Sequence, residues 1–276
     1  MSNLLQRVIT GAGFGIVMIA TVWFSHWSFS AVFFLIAILG LREFFQLVTS
    51  DRIQPQVISG LVIGAGAFLM NWLFANGSYT AAIFMWLIPA VALLFIMELY
   101  RNKSHPFENI AMTLTGLAYI IVPILLLVQM AYRFKPDDAI SYHNNVVLGF
   151  IFLVWSSDTG AYFIGSKFGK NRLFERISPK KSWEGFFGGL ALALLVARIL
   201  SIYFTELDFY QWMIVATITV TAGTIGDLVE SMLKRSIGVK DSGTLLPGHG
   251  GILDRFDAFF IAVPLIYFYF HLIGKL

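Results

Sequence analysis

The chain has 276 residues, 58% hydrophobic and 13% charged, with a mean hydropathy of +0.76. Soluble domains run about 45–50% apolar and about 25% charged, so the composition excludes a soluble globular domain, a disordered chain and a nucleic-acid-binding tail, and places the protein in a membrane. The absence of cysteine removes disulfides, thiolate metal sites and cysteine nucleophiles, and the net charge of +3 matters less than where its cations fall.

Arg7 followed by the apolar run 8–24 could open a signal peptide, but no small-residue cleavage site follows, so it reads as a first membrane helix. A spanning helix needs roughly 20 mostly apolar residues. On that measure the sequence predicts about nine spans, at 8–25, 28–49, 57–75, 80–99, 109–132, 146–165, 186–205, 209–231 and 252–273. Turn chemistry and polar clusters separate them: Asp51-Arg52 with Pro55, Asn76-Gly77-Ser78, His105-Pro106, and Lys135-Pro136-Asp137-Asp138. The predicted fold is an all-α polytopic membrane protein.

Alternating nine helices from a cytoplasmic N-terminus puts Arg7, Arg42, Arg52, Arg101, Lys103, the six cations between Lys167 and Lys181, and Lys234, Arg235 and Lys240 on the inner side. Only Arg133, Lys135 and Lys275 fall outside. The positive-inside rule then sets an N-terminus in the cytoplasm and a C-terminus on the outer side.

Charge is also uneven along the chain, with 21 of the 35 charged residues between 158 and 257. Residues 1–145 therefore read as a transmembrane scaffold, and 146–276 as a catalytic region whose basic loops face the cytoplasm. Asp158, Asp227 and Asp254 lie in or beside predicted spans, where an ionised carboxylate costs about 2.5–3.5 kcal/mol and normally faces a bundle interior or a wet cavity. Helical rise and span direction put all three near the inner face. Asp227, Glu230, Ser231 and Lys234 form one helical stripe, and Asp254 and Asp257 share a face one turn into the last span. Oxygen ligands without cysteine favour a hard cation, Mg²⁺ first, with Asp227, Asp254, Asp158 and Asp257 as candidate ligands. The competing reading makes these structural ion pairs, such as Glu230 with Lys234 or Asp254 with Arg255. Arg42-Glu43 reads as an ion pair rather than a site.

The segment 234–251 alternates cations with glycines, and Gly250-Gly251 opens the last helix, whose N-terminus is a natural anion site. The other basic segment, 167–181, reads as a loop; its Gly165-Ser166-Lys167-Phe168-Gly169-Lys170 lacks the spacing of a phosphate loop.

From Ser231-Met232-Leu233-Lys234-Arg235, through Lys240-Asp241-Ser242-Gly243, to Leu246-Pro247-Gly248-His249-Gly250-Gly251-Ile252-Leu253-Asp254-Arg255-Phe256-Asp257, the chain resembles the signature of the phosphatidate cytidylyltransferases, or CDP-diacylglycerol synthases. Ser157-Asp158-Thr159-Gly160-Ala161-Tyr162 and Pro179-Lys180-Lys181-Ser182-Trp183-Glu184-Gly185 also resemble segments of that family. The resemblance is closest over 150–265. It implies transfer of a cytidylyl group from CTP to phosphatidate with Mg²⁺, giving CDP-diacylglycerol and pyrophosphate, and metal ligation by Asp227 and Asp254. On this reading Asp227, Asp254, Lys234, Arg235, Lys240 and His249 are the candidate catalytic residues. Asp158, Lys167, Lys180, Lys181, Ser231, Asp241, Gly250, Gly251 and Arg255 are the candidate substrate contacts. One or two divalent ions are expected, with a second, monovalent cation left open. The expected partners are CTP, phosphatidate and membrane lipids, without nucleic acid and with a homodimer left open. The expected location is the bacterial inner membrane, with the site open to the cytoplasm. An ion-coupled transporter would show midplane charges and inverted repeats. A CDP-alcohol phosphotransferase would carry an Asp-Gly dipeptide, which this chain lacks.

Overall fold

The computed structural model describes residues 3–134, 142–243 and 250–276, with side chains from Thr10 onward. Ten α-helices are described: α1 (Asn3–Phe24), α2 (His26–Val48), α3 (Val57–Ala75), α4 (Leu87–Arg101), α5 (Pro106–Gly116), α6 (Val122–Arg133), α7 (Asn144–Phe168), α8 (Trp183–Tyr203), α9 (Phe209–Ser236) and α10 (Leu253–Leu272). A 3-10 turn at Ala81–Trp86 leads into α4, and α5 continues into α6 through a π-helical turn at Leu117–Ile121. Among the described residues, eight helical stretches are long and apolar enough to cross a membrane, and Thr10–Phe24 of α1, where the first of the nine spans is expected, is a shorter apolar helix.

Local chemistry explains the boundaries. The Ser25 hydroxyl caps α2 by accepting from the Trp27 N–H at 3.1 Å. Asp208 and Gln211 form a reciprocal capping box at the start of α9. Pro106 occupies the first turn of α5, where its missing N–H costs nothing. Pro123 cannot donate to the Tyr119 carbonyl and its ring crowds that oxygen, and the helix widens into the π turn just before it.

The chain divides into two compact units: Met1–Arg133 with Ile140–Tyr142 and Asp241–Arg255, and Phe134–Ala139 with His143–Lys240 and Phe256–Leu276. In the first, the buried Glu98 carboxylate accepts from Gln56 Nε2 at 2.7 Å, Arg101 Nη1 at 2.6 Å and Asn109 Nδ2 at 2.8 Å. Three helices are thereby tied by one carboxylate whose lone pairs are well used. At the other end of this unit Tyr132 Oη meets Ser30 Oγ at 2.9 Å and accepts from Trp72 Nε1 at 3.1 Å.

In the second unit α7 and α8 pack through small residues, as helices in lipid must when apolar burial offers them no drive. Gly185, Gly189, Ala193 and Ala197 form a buried stripe on α8. A Cβ at Gly160 of α7 would lie 2.5 Å from the Gly188 carbonyl oxygen and 3.0 Å from the Gly189 Cα. The segment expected as a basic loop at 167–181 instead contains a hairpin, β1 (Arg172–Phe174) antiparallel to β2 (Ser178–Ser182). Backbone pairing satisfies groups that a loop would leave to water. The Asn171 side chain donates to Glu184 Oε1 at 2.7 Å, and Ser182 caps α8 by accepting from the Gly185 N–H at 3.1 Å.

These contacts predict that Gly160→Ala destabilises the second unit by about 1–3 kcal/mol through overpacking against backbone. Gly66→Ala, where nothing stands within 4 Å, should leave stability unchanged or raise it by about 0.5–1 kcal/mol. Thermal unfolding in detergent reads both; equal midpoints would contradict the close α7–α8 packing.

Candidate active site

In the second unit the site is built on α9. A Cβ at Gly223 would lie 3.2 Å from the Ala258 Cβ, and one at Gly226 would overlap the Asp257 carbonyl oxygen. These glycines let α9 run backbone-close to α10 and bring the stripe of Asp227 and Glu230 to Asp257. Asp227, Glu230 and Asp158 lie within electrostatic range of Asp257.

Cations balance part of that charge. Lys181 Nζ, at the end of β2, stands 2.5 Å from Asp227 Oδ2, with the two side chains 26% and 37% exposed. Ser231 Oγ donates to the other Asp227 oxygen at 3.2 Å. Lys234 Nζ lies 3.0 Å from Glu230 Oε1, and the Glu230 side chain is fully buried. The ion pair expected of Glu230 and Lys234 is thus present, while Lys181, read from sequence as a substrate contact, engages a carboxylate. A buried pair of this kind needs both members, because removing one strands the other charge. Arg235 Nη1 donates to the Val239 carbonyl at 3.1 Å. Asp158, Lys167, Lys180 and Lys240 are exposed.

The first unit holds the opposite end of the signature segment. Asp254 Oδ2 accepts from the Ser242 N–H at 3.0 Å and the Gly251 N–H at 2.9 Å, with Ser242 Oγ also 2.9 Å away. Gly250 has φ +79°, and a Cβ there would come 2.6 Å from the same oxygen, so both backbone and space demand glycine. Asp241 and Arg255 are exposed. His249 lies outside the described residues.

Glu43 corrects the reading of Arg42-Glu43 as an ion pair. Arg42 is exposed, whereas the Glu43 carboxylate, 2% exposed, accepts from the Ile252 N–H at 2.7 Å and from the Ser242 hydroxyl. Neighbours in sequence on a helix do not face each other, and that rule is the signal that could have separated them. The amides just before α10, which the sequence offers to an anion, donate to Glu43 and Asp254.

The oxygen-only donors suit a hard divalent cation in kind. Among the described residues no three acidic, histidine or cysteine side chains stand so as to hold a metal by themselves. Mg²⁺ is usually bound by one or two carboxylates, with phosphate and water completing its shell, and the Asp227 side chain, 37% exposed, is open to solvent.

Comparison with known proteins agrees with the signature. Residues 5–273 match the profile of the cytidylyltransferase family. A phosphatidate cytidylyltransferase of Haemophilus influenzae is 36% identical, covering 97% of this chain and 99% of that protein. One from Bacillus subtilis is 32% identical over 97% of this chain and 98% of its own length, and one from Staphylococcus saprophyticus is 34% identical over 84% and 86%. A family match spanning both units, with relatives aligned over nearly their whole length, means that the chain belongs to the phosphatidate cytidylyltransferase family.

Proposed function

We propose that this enzyme transfers the cytidylyl group of CTP to phosphatidate, forming CDP-diacylglycerol and releasing pyrophosphate. The observation that carries this reading is the partly exposed Asp227 carboxylate, held by Lys181 at 2.5 Å and Ser231 at 3.2 Å and brought against the Asp257 backbone by Gly226. The names of the relatives support the choice of substrates.

A lipid phosphomonoester has its second pKa near ~6 and is largely dianionic at neutral pH, so its attacking oxygen needs no strong base. That oxygen forms a bond to the α-phosphorus of CTP. The bond between the α-phosphorus and the oxygen bridging to the β-phosphate breaks, and its electron pair leaves on pyrophosphate. The obstacle is repulsion between a dianion and a triphosphate. Lys181 and Lys234 supply positive charge beside the carboxylates, and Arg235 and Lys240 follow on the same segment to meet charge developing on the leaving group. Asp227 and Asp257, with Asp158, would hold Mg²⁺, which when bound supplies charge neutralisation at the phosphates. Asp254 is proposed as a further essential carboxylate of this reaction. The cation distribution supports an inner-membrane location with the basic segments in the cytoplasm, so CTP would arrive from that side and the lipid from the bilayer.

Three outcomes test the reading with purified protein and lipid–detergent micelles. Asp227→Asn should lower turnover of CTP and phosphatidate at least about 100-fold, the scale of losing an electrostatic element of an active site, while helix content by circular dichroism is kept. Near-normal turnover would remove Asp227 from the site. Chelation with EDTA should abolish CDP-diacylglycerol formation and added Mg²⁺ should restore it; activity that survives chelation would exclude the metal. Lys181→Met should raise the KM for CTP about tenfold, the scale of one charge-assisted hydrogen bond, and an unchanged KM would leave Lys181 with Asp227 alone.

A further inference from the structure

We infer that Glu43, in the N-terminal half of the chain, is a positioning residue that clamps Ser242 and the Ile252 amide, two points within the signature segment, and so sets the orientation of Asp254. This rests on the proposed reaction only in so far as Asp254 serves it. The carboxylate lies within α2, 2% exposed, and holds Ser242 on one side and Ile252 on the other. Ser242 in turn donates its backbone N–H to Asp254 at 3.0 Å, while its single hydroxyl proton is engaged by Glu43. One carboxylate therefore ties Ser242 to the residue just before α10.

The glycines of the segment are fitted to it. The three atoms nearest a Cβ at Gly243 would all belong to Glu43: Oε1 at 2.8 Å, Cδ at 2.9 Å and Cγ at 3.4 Å. A Cβ at Gly251 would overlap Glu43 Oε1. Gly243 has no positive φ, so its lack of a side chain is explained by the approach of Glu43 and not by backbone conformation. A carboxylate buried in an apolar helix is costly unless donors meet it, and here the donors are the loop itself.

Glu43→Ala removes the clamp and should lower kcat about 100-fold, the scale of misplacing a reacting group by an ångström, with the KM for phosphatidate within threefold of the parent. Hydrogen exchange supplies a readout apart from activity. The Ile252 amide should lose protection in Glu43→Ala, while amides in the middle of α2 and α10 keep theirs. Should Glu43→Ala fail to fold, Glu43→Gln retains an oxygen for the Ile252 N–H and an amide for Ser242, and should recover both Ile252 protection and most of kcat. Gly243→Ala completes the test as a double-mutant cycle. Alone it should reduce kcat at least tenfold, and in the Glu43→Ala background it should cost less than twofold, because the three atoms it would strike are gone. Unchanged Ile252 exchange, unchanged kcat in Glu43→Ala or additive losses in the cycle would each overturn the clamp. Absence of CDP-diacylglycerol formation by the parent protein would instead overturn the proposed reaction, and would leave the exchange result standing.

Discussion

An ionised carboxylate placed among apolar helices is tolerable only where donors surround it, and that constraint organises the polar structure of this protein. Glu98 receives two side-chain amides and a guanidinium. Glu43 receives a backbone amide and a hydroxyl, Asp227 an ammonium and a hydroxyl, and Glu230 an ammonium. Each acid thus recruits a partner from another turn or another segment, and the chain path follows from where those partners stand. Packing alone could not impose this, because lipid is as apolar as the side chains it faces.

Two kinds of carboxylate emerge. Glu98 and Glu43 are buried, with donors that cannot leave without stranding a charge, and they act as fasteners. Asp227 and Asp158 keep solvent access, and the partner of Asp227 is a partly exposed lysine that a polyanion could draw away. The cytidylyltransferase family membership fits the second group, since phosphate chemistry needs carboxylates and cations that can exchange partners. The glycines at 223 and 226 contribute by letting backbone approach backbone, which sets the carboxylates of α9 beside Asp257 without bulky side chains between them.

Much of this was legible in the sequence. Spans follow from apolar runs, and the Asp227–Lys234 stripe follows from helical spacing, because both depend on residues close in the chain. The hairpin at 172–182 was not legible: its strands are short, charged and interrupted by Pro179, and they carry no alternation long enough to register. The π turn escaped for a similar reason, since Pro123 announces a disturbance but not its form. The Glu43 contacts join residues 199 and 209 positions apart, beyond any periodic signal. Only the incompatibility of Arg42 and Glu43 on one helix face hinted that the acid had business elsewhere.

The Glu98 network has a consequence for biogenesis. Its acceptor is made with α4, one amide donor, Gln56, is synthesised earlier, and the other, Asn109, emerges later with α5. Arg101, one turn along the same helix, travels with Glu98 as its counter-charge. The segment can therefore leave the translocon as a neutralised pair, yet it reaches its final set of bonds only after the next helix has been made. The bonds that join α3, α4 and α5 at this point are therefore complete only when all three are present.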